Sequence, residues 1–169
     1  MFIGFTGYGV DFIVRGRVEL DGERLTDMLE RTEEILVRDA VLEGLDDLAH
    51  VELPDYVVSR SELLAALGGG PRGSHTHRIR ATARRIQASV GPYRVLGRLH
   101  TRGDGTIAER LFDGGPLVPL TDATIAYVIA GILEVRDAPV VYVNRDLASW
   151  VRPEPHDVSL ASLVALPTW

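Results

Sequence analysis

The segment VRGRV at residues 14–18 has a near copy, VLGRL, at residues 95–99. Each copy surrounds one glycine with aliphatic and β-branched residues, a pattern typical of a strand that bends or carries a bulge at the glycine. We therefore interpret Arg17 and Arg98, which directly follow the two glycines, as equivalent positions in two related halves of the chain.

Further residues recur in the same order after each copy. An Asp-Ala pair stands at residues 39–40 and again at residues 122–123. Each half then places a proline six residues before an arginine, in PDYVVSR at 54–60 and in PVVYVNR at 139–145. Because several features recur in one order at similar spacing, the sequence predicts an internal duplication.

The duplication predicts the architecture. We expect a mainly β fold with short helices, with an α+β arrangement as the alternative. Two small β units, residues 1–67 and 85–152, should pack about a pseudo-twofold axis, since a unit of this size buries little surface alone. A linker rich in glycine and arginine at residues 68–84 joins the units, and a C-terminal tail occupies residues 153–169.

Hydrophobic spacing places the short helices. Leu25 and Leu29 in the first unit, and Ile107 and Leu111 in the second, are four residues apart and predict one or two helical turns each. Residues 62–67 predict a further short helix, ended by the glycines that follow. Residues 77–90 fit a helical first half followed by a strand that begins at about residue 85.

The composition excludes several classes of chemistry. The chain has no cysteine and no lysine, so its 18 basic residues are all arginine. This excludes disulfides, thiolate metal sites, Schiff-base catalysis and a P-loop. No apolar run reaches the roughly 18 residues of a membrane span, and the start lacks the basic region of a signal peptide. We expect a cytoplasmic protein with no membrane partner and no cofactor.

Charge is unevenly distributed along the chain. The net charge is −6, yet residues 63–103 contain eight arginines and no acidic residue. Guanidinium groups bind phosphate well, so one interpretation is an anion or nucleic-acid site. The favoured interpretation is that these arginines neutralise the acidic flanks, within the chain or across a homomeric interface. The candidate anion-binding residues are Arg72, Arg78, Arg80, Arg84, Arg85 and Arg98.

Two further sets of residues are candidates for catalysis or metal binding. His75 and His77 have a spacing that places both imidazoles on one side of an extended backbone, as a metal site needs. The alternative is that they are polar residues of an exposed linker. If an active site exists, Asp39 and Asp122 are the first candidates because they occupy matched positions, with a turn or cap at a strand end as their structural alternative.

The order of features resembles known small β-rich proteins. A strand with a central glycine, a short helix, a strand ending in Asp-Ala and a last strand ending in VSR at 58–60 or VNR at 143–145 is similar to uncharacterised bacterial families of small tandem β repeats. In outline it also resembles an Sm-like small barrel. Ser61 and Asp146 stand where the Sm-like pattern has glycine, so the resemblance implies a small barrel but assigns no RNA-binding residues.

Together these features favour a non-catalytic binding or assembly module, whose partner is another protein or a second copy of the chain. The alternative is a nucleic-acid or phosphate-ligand binding protein that uses the central arginines. A small metal-dependent enzyme built around His75 and His77 is the third hypothesis. We lean against enzymatic activity because the sequence contains no recognisable catalytic motif.

Overall fold

The structure is a computed structural model that describes residues 1–47, 49–70 and 81–153, with the backbone alone described for residues 81 and 149–153. Its elements in chain order are β1 (Phe2–Tyr8), β2 (Phe12–Glu19), α1 (Leu25–Arg31), β3 (Glu34–Gly44), β4 (His50–Ser59), a 3-10 turn (Arg60–Glu62), β5 (Ala65–Gly68), β6 (Ala81–Val90), β7 (Tyr93–Arg102), α2 (Ile107–Phe112), β8 (Leu117–Ile129), β9 (Ile132–Asn144) and β10 (Ala148–Pro153). The prediction of a mainly β fold with short helices is confirmed.

All ten strands belong to one antiparallel sheet, in the order β10-β6-β7-β8-β9-β5-β1-β2-β3-β4. Two runs of sequential strands, β1 to β4 and β6 to β9, are joined through β5, which lies between β1 and β9. The sheet is open, with β10 and β4 at its two edges. The described strands therefore do not form the expected small barrel, because β5 links the two runs instead of closing the first run on itself.

The predicted helix at residues 62–67 is wrong. Only the 3-10 turn is helical there, and Ala65–Gly68 is strand β5. The neighbouring residues Leu63, Leu64, Ala65 and Ala66 are all almost completely buried, at 0%, 4%, 0% and 0% exposure. A short apolar run buried on both faces is typical of a central strand, and its sequence alone does not distinguish it from a helix.

The structure also corrects the start of the second run. Residues 81–84 belong to strand β6, not to the helix expected in the first half of residues 77–90, while residues 77–80 lie outside the described part. Strand β6 pairs with β7 over its whole length, from Ala81 opposite Arg102 to Val90 opposite Tyr93. This continuous long-range pairing overrides the local helical spacing.

The strand registers of the two runs agree residue for residue. Phe5 pairs with Gly16 in β1–β2, and Ile86 pairs with Gly97 in β6–β7. The next pairs along the sheet, β2–β3 and β7–β8, each contain one register shift directly at these glycines. The outer pairs β3–β4 and β8–β9 interrupt their ladders opposite that shift.

The sheet has two hydrophobic cores, and each core contains residues from both runs of strands. Tyr8, Ile13 and Leu64 from the first half pack with residues of β6 to β9 in one core. Leu117 and Tyr142 from the second half pack in the other core, with residues of β1 to β4 and α1. The halves therefore bury apolar surface against each other, which is the main source of stability for units of this size.

Candidate functional site

The two repeated glycines lie against β-bulges in the neighbouring strands. Arg15 pairs with Val41 and Arg17 with Arg38, so Gly16 faces one more residue on β3 than a regular ladder allows. A Cβ on Gly16 would lie 2.5 Å from the carbonyl oxygen of Arg38. Glycine is required here because the backbone of β3 passes too close for a side chain.

The two candidate catalytic aspartates form these bulges. Asp39 has φ of 48° and Asp122 has φ of 46°, in the left-handed region that aspartate tolerates better than most residues. They lie within strands β3 and β8, so the expectation of a turn or cap at a strand end is corrected: each one bends its strand in the middle. The alanines that follow them, Ala40 and Ala123, are buried in the core.

Each bulge aspartate pairs with the arginine of the repeated segment. The Arg17 Nε donates to the Asp39 Oδ2 at 2.9 Å, and the Arg98 Nη1 lies 3.6 Å from the Asp122 Oδ2. All four side chains are more than half exposed, so each pair contributes at most about 1 kcal/mol. Each of the two carboxylates thus has an arginine partner at the surface of the sheet.

The arginines that end the repeated Pro-to-Arg segments support the short helices. Arg60 donates from Nη1 to the carbonyl oxygens of Leu29 at 3.0 Å and Glu30 at 2.7 Å, at the C-terminal end of α1. Arg145 donates to the carbonyl oxygen of Leu111 in α2. Cations at helix C-termini satisfy unpaired carbonyls and interact favourably with the helix dipole. The sequence shows the spacing from proline to arginine in each half. It does not show that the arginine binds the end of a helix, because the helix and the arginine are some thirty residues apart.

A polar cleft of about 330 Å³ lies where the ends of β4 and β9 approach each other. It is lined by Glu33, Ser59, Arg60, Ser61, Pro116, Asn144, Asp146 and Leu147. The Ser59 and Ser61 hydroxyls are 2.8 Å apart, and the buried Asn144 amide donates to the Leu63 carbonyl at 2.9 Å. The described lining contains no histidine that could activate a serine hydroxyl, and its polar side chains are hydrogen-bonding groups.

Three tyrosines pack edge to face beside the contact between the halves. The ring centroids of Tyr8, Tyr93 and Tyr127 are 5.2–5.6 Å apart. The Tyr93 hydroxyl donates to the Gly9 carbonyl at 2.7 Å, whereas the buried Tyr8 hydroxyl has no hydrogen-bond partner among the described residues. Burial raises the pKa of both Tyr8 and Tyr93 above that of an exposed tyrosine, because the charged phenolate would be desolvated.

The structure brings together only some of the predicted anion-binding residues. Arg85 on β6 lies directly opposite Arg98 on β7, and the exposed Arg102 lies on the same face farther along β7. Arg84 is opposite Leu99 and therefore belongs to the other face of the sheet. Arg72, Arg78 and Arg80 lie outside the described residues, as do the candidate metal ligands His75 and His77.

Within the described part of the chain, no group of histidine, aspartate and glutamate side chains is arranged to hold a metal ion. Across the same residues, no helix is both long and apolar enough to cross a membrane.

The sequence-based prediction did not include one exposed apolar surface, which lies on one face of the β8–β9 hairpin. Val128 lies opposite Leu133, and Val135 lies opposite Ala126, on one face of this hairpin. Val128, Leu133 and Val135 are 49%, 43% and 43% exposed. We call these three side chains the hairpin patch. Val128 on β8 stands between the buried residues Tyr127 and Ile129, but this local pattern does not predict that its side of the hairpin is exposed.

No family model, curated protein or solved structure matches this chain.

Proposed function

We propose that this protein is a non-catalytic assembly module that associates with a second copy of itself through the hairpin patch. The observation that carries the proposal is the exposure of three large apolar side chains on one face of a hairpin. Contiguous exposed apolar surface is costly in water and marks interaction sites. A second copy is the preferred partner because an apolar strip that contains the directly opposed Val128–Leu133 pair can pack on itself across a twofold axis.

The roles of the polar residues support a non-catalytic protein. Asp39 and Asp122 hold bulges and pair with Arg17 and Arg98, and Arg60 caps a helix end. These are the side chains that the sequence pattern singles out, and each has a structural contact that accounts for its recurrence.

We also infer that the chain is an internal duplication whose units are related by a pseudo-twofold axis. The inference is supported by the equal strand registers, by a bulge aspartate with positive φ in each half, and by the prolines opposite the bulges. Pro54 and Pro139 both stand where the β3–β4 and β8–β9 ladders are interrupted. The same bulge, the same aspartate with positive φ and the same proline recur at matching register positions. This recurrence favours descent of the two units from one ancestral unit over convergence.

The test of the assembly proposal is Leu133→Glu, measured by light scattering across a concentration series. We expect the wild-type chain to form a defined oligomer and the variant to dissociate, with its association constant reduced by about tenfold or more, because the glutamate would be desolvated in the interface. Val51→Glu is the matched control: Val51 is 55% exposed on the other hairpin, β3–β4, and its replacement should leave the oligomer intact. A monomeric wild type, or equal dissociation by both variants, would contradict the proposal.

A second candidate function, binding to nucleic acid or another phosphate ligand, is favoured by the opposed pair Arg85 and Arg98 with Arg102 on the same face. If this function holds, the chain binds oligonucleotides at low salt. In a plot of the logarithm of the binding constant against the logarithm of the salt concentration, Arg102→Ala should make the slope shallower by about one. Arg38→Ala is the control, since Arg38 is an exposed arginine paired with Asp55 in the other half. Oligonucleotide binding that does not change with salt, or no binding, would exclude this function.

A further inference from the structure

We propose that β10 pairs with β4 of the same chain, closing the two edges of the sheet in the register that β5 adopts on β9. The proposal rests on the internal duplication inferred above. It is independent of the hairpin patch, which lies on other strands, so each can fail without the other.

The two edge strands are the counterparts of two strands that are already paired. In β1–β5, Gly7 lies opposite Ala66, and in β6–β10, Ala88 lies opposite Val151. Strand β10 is thus the counterpart of β5, as β4 is of β9. Strand β5 has partners on both sides, β1 and β9, whereas within the described chain β10 pairs only with β6 and β4 only with β3. The pairing of β5 with β9 therefore lacks its counterpart, which would be the pairing of β10 with β4.

The register of this pairing follows from the paired counterpart. Leu67 lies opposite Val141 and Ala66 opposite Tyr142 in the antiparallel pair β5–β9. Transferring both strands to their counterparts places Arg152 opposite Tyr56 and Val151 opposite Val57. Pro54 lies outside this stretch of β4, as Pro139 lies outside the paired stretch of β9, so neither proline removes a donor that the pairing needs.

The polar cleft shows why the strand comes from the same chain. Ser59 ends β4 and Ser61 lies two residues farther on, while Asp146 and Leu147 directly precede β10, and all four line the one cleft. The end of β4 and the start of β10 are therefore within a cleft width of each other. A tethered strand at this distance has an effective concentration far above that of a second molecule.

An asymmetry in apolar burial points to the same contact. Leu36 and Val57 lie opposite each other and are 41% and 52% exposed. The residue of β9 that corresponds to Val57 is Tyr142, which is 7% exposed and whose hydroxyl lies 3.2 Å from the Thr26 hydroxyl of α1.

The two helices differ in the same way. Helix α1 buries Leu25, Met28 and Leu29, whereas α2 buries none of its residues. Pairing of β10 with β4 brings α2 over Leu36 and Val57, as α1 covers Tyr142. The pairing of β10 with β4 would thereby cover both the unpaired edge of β4 and the exposed side chains of Leu36 and Val57. An unpaired edge and exposed apolar side chains both promote aggregation.

Because the chain has no cysteine, a single cross-link can test the register. The double variant Tyr56→Cys/Arg152→Cys, oxidised in dilute solution, should form an internal disulfide with a yield similar to that of Leu67→Cys/Val141→Cys, its paired counterpart. Disulfides require Cα atoms within about 7 Å, which directly opposed residues satisfy. The displaced pair Tyr56→Cys/Ala148→Cys should cross-link at least several-fold less. Intact mass and non-reducing electrophoresis measure the products.

Two results would overturn the proposal. Disulfide-linked dimers in place of the internal cross-link would show that the edges pair between copies, and a yield no higher than that of the displaced pair would show that they do not pair in this register. Amide hydrogen exchange on the wild-type chain gives a check that needs no substitution. If residues 56–58 of β4 are paired on both sides, their amides that point away from β3 exchange as slowly as the matching amides of residues 141–143 in β9, and fast exchange at these positions would contradict closure.

Discussion

Replacing Gly16 with alanine is expected to lower the free energy of unfolding by about 2–3 kcal/mol, as overpacking of a close contact does. The new Cβ would lie 2.5 Å from the Arg38 carbonyl oxygen and 2.5 Å from the Val37 Cγ1. The carbonyl belongs to the bulge on β3 and cannot move without disturbing its ladder, so the strain is not relieved by a rotamer change. Urea denaturation, with unchanged far-ultraviolet circular dichroism in the native state, measures the loss.

Gly4→Ala is the matched control for Gly16→Ala. Gly4 is in the adjacent strand β1, directly opposite Arg17, and a Cβ there would have no atom within 4 Å. Its replacement should be neutral or slightly stabilising, since alanine restricts the unfolded chain. Equal losses for the two variants would show that close approach at the bulge is not what requires glycine.

Removing the Tyr93 hydroxyl by Tyr93→Phe is expected to cost about 1–3 kcal/mol of unfolding free energy. The hydroxyl donates to the Gly9 carbonyl at 2.7 Å in a buried contact between the two halves. Phenylalanine keeps the ring and its edge-to-face packing but leaves this carbonyl without its donor. Thermal and urea unfolding both report the change, which should appear as a lower midpoint without a change in slope.

Tyr8→Phe provides the comparison within the same cluster of rings. Tyr8 is completely buried and packs on Tyr93 at 5.2 Å, but its hydroxyl has no partner among the described residues. Removing a buried hydroxyl without a partner relieves a desolvation cost, so this variant should be neutral or more stable by up to about 1 kcal/mol. The opposite order of the two variants would contradict the assigned hydrogen bond.

The sequence predicts the strands well where local pattern and long-range pairing agree. The segment at residues 14–18 is in β2, the segment at 95–99 is in β7, and both helical turns occur at the predicted places. The prediction that the repeated glycine marks a bulge is confirmed. The extra residue of the bulge, however, lies on the strand that faces the glycine, β3 or β8, and not on the strand that contains it. A glycine signals close approach, but only the partner strand shows which residue approaches it.

Other features depended on contacts that no local pattern contains. Strand β5 is an apolar run whose strand character comes from being placed between β1 and β9. The roles of Arg60 and Arg145 depend on where the helices end in space. The hairpin patch depends on how far β8 and β9 extend beyond their neighbours. In each case the decisive partner is far away in the chain, and its identity follows from topology.

The position of β5 has a consequence for how the molecule unfolds. Ala65 belongs to the core built mainly from the second half, and the next residue, Ala66, belongs to the core built mainly from the first. Because adjacent side chains of a strand point to opposite faces, one short strand anchors both cores at once. Detachment of β5 from either core should therefore expose the other core as well, and we expect the two halves to unfold in one cooperative transition.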